Sequence, residues 1–538
     1  MKNLWHALML VRRCDPPLFR RRLLYVLLQS ILPLVNLYIL KLLIDSVSNP
    51  AAFTLPVSPL QLLLTMTAVF LLSRVVAALA RVNNDVLTQR LTDYMSDLMQ
   101  RQATRLDLSY YDTPSYHDTF HRAQQESATR PLAILDHFMT VGGALVSLLV
   151  VTAMLIGASW WVVPVMFAAV VPSFLVRLHK AHSIYSFRRA NTQLYRRTAY
   201  YSHLLTSREA AKEMRTFRLA PLFRRLFVET RARLVHRLLH ISRRLGAAEI
   251  LCAVVEALAM LAIVWLLASR TLAGMLTVGS FVMLFEAFRR GQGYLTALVG
   301  GVAGLYDSRL FVGNLFEFLQ LQPTILAPDD PAPLPEQVET LELRDVTFRY
   351  PDMQRDVLSH FNLIARRGEI TRIDGENGYG KSTILKLLLR LYDPSQGTVL
   401  LNGIDMRRFN PADLRSRFGV LFQDFVRYNC TVGENIAFGD VDHPASPAPA
   451  AALAGADHVV ESLPQGFDTT LGRMFDGGRE LSMGQWQRLA LARALQSDAP
   501  ILLLDEPVAW IDVAARRQFF DTLEQLKSNK IVILITHA

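Results

Sequence analysis

Six apolar runs of about 20 residues each constrain this chain more than any other feature, and all lie in its first 320 or so positions. They cover residues 23–44, 60–79, 138–157, 160–176, 250–267 and 278–305. Runs of that length match the roughly 30 Å hydrocarbon core of a bilayer. A segment surrounded by lipid must satisfy its own backbone hydrogen bonds, which an α-helix does. The reading is a six-helix α-helical transmembrane domain over residues 1–320. A mean hydropathy of +0.23 and a hydrophobic content of 51% agree with it.

The net charge is +10. A basic chain suits nucleic acid, so the position of the charge decides. Arginines crowd between the fourth and fifth runs, among them Arg188, Arg189, Arg224, Arg225, Arg243 and Arg244. By contrast, residues 47–57 and 158–159 hold no Lys or Arg, and the link after the fifth run holds only Arg270. That asymmetry is the positive-inside pattern. It places both termini on the cytoplasmic side of a bacterial inner membrane, with a lipid bilayer and no nucleic acid as partner. A nucleic-acid or lipid role for the arginines is the alternative. Arg20, Arg21 and Arg22 before the first run imitate a signal peptide, but the run lacks a small-residue cleavage site, so it reads as a retained helix. Cys14, Cys252 and Cys430 have neither disulfide-framework nor metal-ligand spacing, as for a reduced cytosolic face.

Beyond the second run, Leu87, Leu91, Met95 and Leu98 recur at helical spacing, which extends that helix into the cytoplasm. The fifth run contains Glu256, and the sixth contains Glu286, Arg289 and Arg290. Charges at membrane depth are costly and commonly face a cavity. A local ion pair of Glu286 with Arg289 and Arg290 fits the same spacing equally well. Both readings stay open: a pair within the helix, or a polar substrate cavity lined by all four residues.

Residues 321–338 are rich in Pro and acidic residues and read as a linker. From 339 to 538 short apolar strands alternate with helices, which predicts an α/β domain. Gly375-Glu376-Asn377-Gly378-Tyr379-Gly380-Lys381-Ser382 fits G-x-x-x-x-G-K-[ST]. Glycines let backbone N–H groups turn toward phosphate oxygens, Lys381 reaches the outer phosphates and the Ser382 hydroxyl suits Mg²⁺. The helix opening at Lys381, through Thr383, adds its positive end. The preceding strand holds Arg372 and Asp374, although a central parallel strand is expected to be nearly all apolar. About 125 residues on, Ile501-Leu502-Leu503-Leu504 runs into Asp505 and Glu506. Asp505 suits the metal and Glu506 suits polarising the attacking water. An acidic turn at a strand end is the bland alternative, and the glycine-rich loop upstream weighs against it.

With these motifs in place the chain resembles an ABC transporter of the half-transporter exporter type, with the membrane domain ahead of an α/β P-loop ATPase domain. Leu481-Ser482-Met483-Gly484-Gln485 is similar to the family's LSGGQ signature. The resemblance implies ATP and Mg²⁺ as ligands. It makes Tyr350 the aromatic that stacks on adenine, Gln423 the glutamine that senses the metal, Asp512 the D-loop aspartate and His537 the switch histidine. It implies that Ser482, Gly484 and Gln485 complete the ATP site of a partner subunit. Intact Glu506 and His537 favour a homodimer. Coupling helices are expected near 115–122 and 207–215. Three departures stand out: Met483 replaces a signature glycine, Trp510 is bulky for its place, and the chain ends one residue past His537.

The stretches Gln423–Tyr428 and Phe475–Glu480, with Trp486, resemble bacterial exporters of ribosomally made, modified peptides such as lantibiotics and lasso peptides. Export of such an antimicrobial peptide, giving self-immunity, is the expectation. No peptidase segment precedes the first run, so leader cleavage within this chain is not expected. Multidrug or lipid export is one alternative and a non-transporting ATP-gated regulator another.

Overall fold

The computed structural model describes residues 2–48, 50, 55–113, 130–159, 162–351, 353–375, 380–510 and 513–536. The chain forms two compact units. One comprises Met1–Thr104 and Thr119–Gln320, the other Arg105–Asp118 and Leu321–Ala538.

The first unit is helical. The apolar runs lie in the helices Pro16–Ser48, Pro59–Arg105, Arg130–Ser159, Val162–Ala190, Ala220–Leu272 and Val278–Leu319. Among the described residues, four helical stretches are long and apolar enough to cross a membrane: Pro16–Ser48, Pro59–Arg105, Leu132–Ile156 and Ala220–Leu272. In Val278–Leu319 the charges of Glu286, Arg289 and Arg290 dilute the apolar run. At 47 residues, Pro59–Arg105 is about 70 Å long, far more than a bilayer needs. Its continuation buries Leu87, Leu91 and Met95 of the expected stripe, but the last buried position is Met99, with Leu98 only partly covered.

Small residues and a cap hold the helices at close range. A Cβ on Gly301 would meet Val141 at 2.6 Å, so this glycine lets Val278–Leu319 pack tightly on Arg130–Ser159. Asp45, near the end of Pro16–Ser48, caps the start of Val278–Leu319. It accepts from Gly279 N at 2.9 Å and from the Thr277 hydroxyl at 3.1 Å. Leu34, Leu37, Val151, Leu155, Leu284 and Phe288 form the buried centre among these helices.

The second unit contains two sheets. The strands β1 (Thr340–Phe348), β2 (Leu358–Arg366), β4 (Gln396–Leu401) and β5 (Ile404–Asp405) form an antiparallel sheet in the order β2-β1-β4-β5. The strands β3 (Ile370–Asp374), β6 (Phe418–Leu421), β7 (Ile501–Asp505) and β8 (Ile531–Thr536) form a parallel sheet in the order β3-β8-β7-β6. The strands β7 and β8, apolar except for their last residues Asp505 and Thr536, occupy its middle, buried along nearly their whole length.

This order corrects one expectation. The strand before the glycine-rich loop is not central; β3 lies at an edge of the parallel sheet. An edge position tolerates polar side chains, and both find partners. The Arg372 guanidinium lies 5.8 Å from the centroid of the Phe520 ring, and Asp374 accepts a hydrogen bond from the Thr536 hydroxyl.

Candidate functional site

The parallel register delivers the candidate residues to one edge. Asp374 pairs with Thr536, Asp505 with Ile535, and Leu421 with Leu504. The carboxyl ends of these neighbouring strands, at Asp374, Thr536, Asp505 and Leu421, therefore lie along one edge, with Glu506 and Gln423 just past it. In open α/β sheets that edge is where ligands bind.

Gly380 ends the loop with φ at +77° and caps the helix Lys381–Leu388. Only a residue without Cβ adopts this left-handed conformation readily, and it turns the first helical N–H groups toward the loop. Lys381 is 9% exposed, and its amine donates to the carbonyls of Gly375 at 2.6 Å and Thr536 at 3.1 Å. One cation thus bridges the adjacent carboxyl ends of β3 and β8. Ser382 is exposed. Thr383 is buried, and its hydroxyl lies 3.0 Å from the Tyr350 hydroxyl. Tyr350 stands edge-on to Phe348 and Tyr392, with centroids 4.9 and 5.3 Å away.

Asp505 is buried at the end of β7. The next residue, Glu506, has φ at +48°, a strained region for a residue with a Cβ. Such strain persists only where neighbours enforce it and concentrates at functional turns. The Glu506 N–H donates to the Ile535 carbonyl at 3.0 Å, and its carbonyl accepts from the Gln487 amide at 2.8 Å. Gln487 is buried on the helix Met483–Gln496 and also accepts from Trp510 N at 3.0 Å. Sequence reading missed Gln487; its polar side chain on an otherwise apolar helix face is the signal that marks it.

The signature residues open that same helix. Ser482 is its N-cap and accepts from Gln485 N at 3.3 Å, while the Gln485 side chain accepts from Ser482 N at 2.9 Å, a reciprocal capping box. A Cβ on Gly484 would stand 2.6 Å from the Trp510 carbonyl oxygen, so the D-loop backbone closes directly on this glycine. Met483 is partly exposed beside it. Gln423 is exposed just past β6. Asn377, Gly378, Asp512 and His537 lie outside the described residues, as does the coupling helix expected at 115–122. At 207–215 a short helix, Ala211–Thr216, is present with Met214 buried.

In the membrane unit, Glu286 pairs with Arg289 at 2.9 Å and with Arg290 at 3.6 Å, the local arrangement allowed for by spacing. Arg290 also donates to the Pro33 carbonyl at 3.2 Å. Glu256 accepts from the Ser173 hydroxyl of a neighbouring helix. Lys180 and Glu249 join the same two helices at 2.8 Å.

Residues 358–509 match the ABC transporter family model. The chain is 27% identical to the subtilin transport ATP-binding protein SpaT of Bacillus subtilis, over 100% of this chain and 88% of the relative. It is 26% identical to the nisin transport ATP-binding protein NisT of Lactococcus lactis subsp. lactis, over 95% and 85% respectively. It is 33% identical to an ATP-dependent lipid A-core flippase of Syntrophus aciditrophicus over 48% of this chain and 41% of that protein. The fold matches the structure of a bacterial Atm1-family ABC exporter with ATP bound, with a TM-score of 0.77 at 22% identity, covering 97% of this chain and 92% of the other. Matched family, motif geometry and helical membrane unit agree: the chain belongs to the ABC transporters, with its membrane domain fused ahead of its ATP-binding domain.

Proposed function

We propose that two copies of this chain form an exporter that uses ATP hydrolysis to move a ribosomally made, modified peptide out across the bacterial inner membrane. The observation that carries this reading is the extent of the likeness to the subtilin and nisin transport proteins. It runs through the membrane half and the ATPase half together, whereas the higher identity to the lipid A-core flippase spans about half of this chain. In this reading residues 1–320 supply six membrane helices, 321–338 the linker and 339–538 the ATPase, with both termini cytoplasmic.

The geometry supports hydrolysis. Lys381, buried at the helix start, holds its charge where phosphates meet the N–H groups after Gly380. Ser382, Gln423 and the buried Asp505 are oxygen donors suited to Mg²⁺. The metal supplies charge neutralisation at the phosphates. Glu506, next to Asp505 but past the strand end, takes the proton of the attacking water, and His537 serves as the switch histidine. Asn377, Gly378 and Thr383 line the phosphate loop and Tyr350 the base. Ser482, Gly484, Gln485 and Asp512 serve the site shared with the second copy.

ATP-dependent uptake of a modified peptide into inverted membrane vesicles, together with peptide-stimulated ATPase, tests the cargo. Stimulation and uptake of lipid A or of drugs, with peptides inert, would replace the peptide reading by the lipid or drug one that the flippase likeness favours. ATPase with no vectorial movement of any cargo would point instead to a regulator. Glu506→Gln is expected to bind ATP and stop turnover, and full residual hydrolysis would reject Glu506 as the base.

A further inference from the structure

The second unit includes a piece of chain from outside the ATPase domain, Arg105–Asp118. It follows directly on the long helix Pro59–Arg105 and contains a five-residue helix, Leu108–Asp112. Both ends of this short helix are tied down within the unit. At the first end, the Asp107 carboxylate accepts from the N–H of Thr324, from its hydroxyl at 2.8 Å and from Ile325 N at 3.2 Å. Tyr110 donates to the Gln322 carbonyl at 2.8 Å. Residues 322–325 belong to the linker that leaves the helix Val278–Leu319.

At the other end, one oxygen of Asp112 accepts from the Lys386 amine at 2.8 Å and from the Tyr392 hydroxyl at 2.7 Å. Lys386 lies on the helix that begins at Lys381. Its amine sits 5.3 Å from the Tyr350 ring centroid and 5.6 Å from that of Tyr392. The Tyr350 ring is therefore bracketed by Tyr392 at its edge and the Lys386 cation over its ring. Both brackets end on the same carboxylate oxygen. An apolar residue here would leave the partly buried Lys386 amine and the buried Tyr392 phenol without this acceptor, and asparagine would keep an oxygen but lose the charge that pairs with Lys386.

We propose that Asp112 is a positioning residue for the nucleotide base, fixing the Tyr350 ring through Lys386 and Tyr392 and so making base affinity depend on the chain leaving the second membrane helix. The proposal rests on the reading of Tyr350 as the adenine platform. By linkage, base binding must bias the short helix by the same factor as the short helix biases base binding. The tie at Asp107 extends this to the linker after the sixth apolar run.

The test uses the full chain in lipid nanodiscs and two substrates, ATP and ribose 5-triphosphate, which lacks the base. Asp112→Asn is expected to raise the KM for ATP by about 5- to 10-fold, a modest coupling. The KM for ribose triphosphate and both kcat values should change less than about twofold. Tyr392→Phe, which deletes one hydroxyl and keeps the ring, should show a smaller effect of the same kind, so a folding defect in the first variant does not end the test. Tyr350→Ala should abolish the preference for ATP, and Asp112→Asn added to it should change nothing more. Equal KM changes for the two substrates in Asp112→Asn and Tyr392→Phe, a fall in kcat alone, or no change, would overturn the proposal. A Tyr350→Ala variant that keeps the full preference for ATP would reject the adenine platform itself, and the proposal with it.

Discussion

Gln487 clamps the turn that carries Glu506: its amide N–H donates to the Glu506 carbonyl at 2.8 Å while its oxygen accepts from Trp510 N at 3.0 Å. Both polar ends of a side chain only 3% exposed are thereby consumed. The clamp spans the strained residue at φ +48° and explains how that conformation persists. It also joins the signature helix to the end of β7.

Replacing Gln487 by Glu removes the donor and sets a carboxylate against a carbonyl. Losing one buried hydrogen bond of this kind costs about 1–3 kcal/mol. The expected result is a kcat for ATP lower by on the order of tenfold or more, since about 1.4 kcal/mol is a factor of ten. Nucleotide affinity should stay close to that of the parent. Single-turnover hydrolysis with a separate binding titration checks this; an unchanged kcat would remove the clamp from the catalytic account.

Gly484 and Met483 should answer substitution in opposite ways. A methyl group on Gly484 meets backbone oxygen of Trp510, which has no flexible end to move aside. Gly484→Ala is expected to cut ATPase by about tenfold or more, as displacement of a D-loop backbone disturbs packing by 1–3 kcal/mol. Met483→Gly changes an exposed position and should keep ATPase within about twofold, in line with surface changes of about 0.5 kcal/mol. Steady-state ATPase of both variants decides; equal losses would mean that Met483, too, is needed for closure.

Asp45 is expected to stabilise the membrane unit by capping the helix that starts at Val278. Asp45→Ala should cost about 1–2 kcal/mol, since it removes the acceptor for the Gly279 N–H and the negative charge at a helix start whose N-cap residue is Thr277. Asp45→Asn, which keeps an acceptor, should cost less. Thermal unfolding in detergent measures both, and a ranking with Asn below Ala would contradict the cap.

Glu286, Arg289 and Arg290 separate pairing from transport. If they serve only each other, exchanging Glu286 for Gln or Arg289 for Ala leaves the response of ATPase to cargo intact. If they line the path, either change alters that response, and Arg289, the more exposed of the two arginines, should show the larger effect. Cargo-stimulated ATPase of each variant is the measurement.

Asp405 gives a pH dependence with a definite sign. Burial pushes its carboxyl up, but hydrogen bonds and charge from Arg407, with Arg390 nearby, hold it below the usual carboxylate range. A folded pKa below the unfolded value of about 3.9 means that the stabilisation is present above that pH. It is lost as pH falls through the depressed folded value. Asp405→Asn should therefore melt below the parent at neutral pH, with the difference fading below about pH 4.

Much of this was readable before any fold was seen, and the reasons are physical. Apolar runs long enough for a bilayer have few other uses, and the described residues of all six fall in helices. The glycine-rich loop and the β7 carboxylates stand out in the sequence because glycine freedom, a lysine and adjacent acids come at the fixed spacing that phosphate sites use. Strand order was not legible: nothing local to Arg372 tells that β3 is an edge. Gln487 and Asp112 were also invisible as partners, because their bonds reach residues 19 and 23 positions away in one case and 274 and 280 in the other.

The register between β7 and its neighbours has one more consequence. Successive side chains of a strand point to opposite faces, so a slip of one residue inverts every one of them. In the function proposed above, Asp505 closes β7 as a metal ligand and Glu506, on the turn just past it, takes the proton of the water. Under that proposal, a β7 displaced by a single step against β6 and β8 would turn Asp505 to the other face of the sheet and take Glu506 away from its partners Ile535 and Gln487. Correct strand pairing during folding would then also be the step that gives each carboxylate its proposed duty.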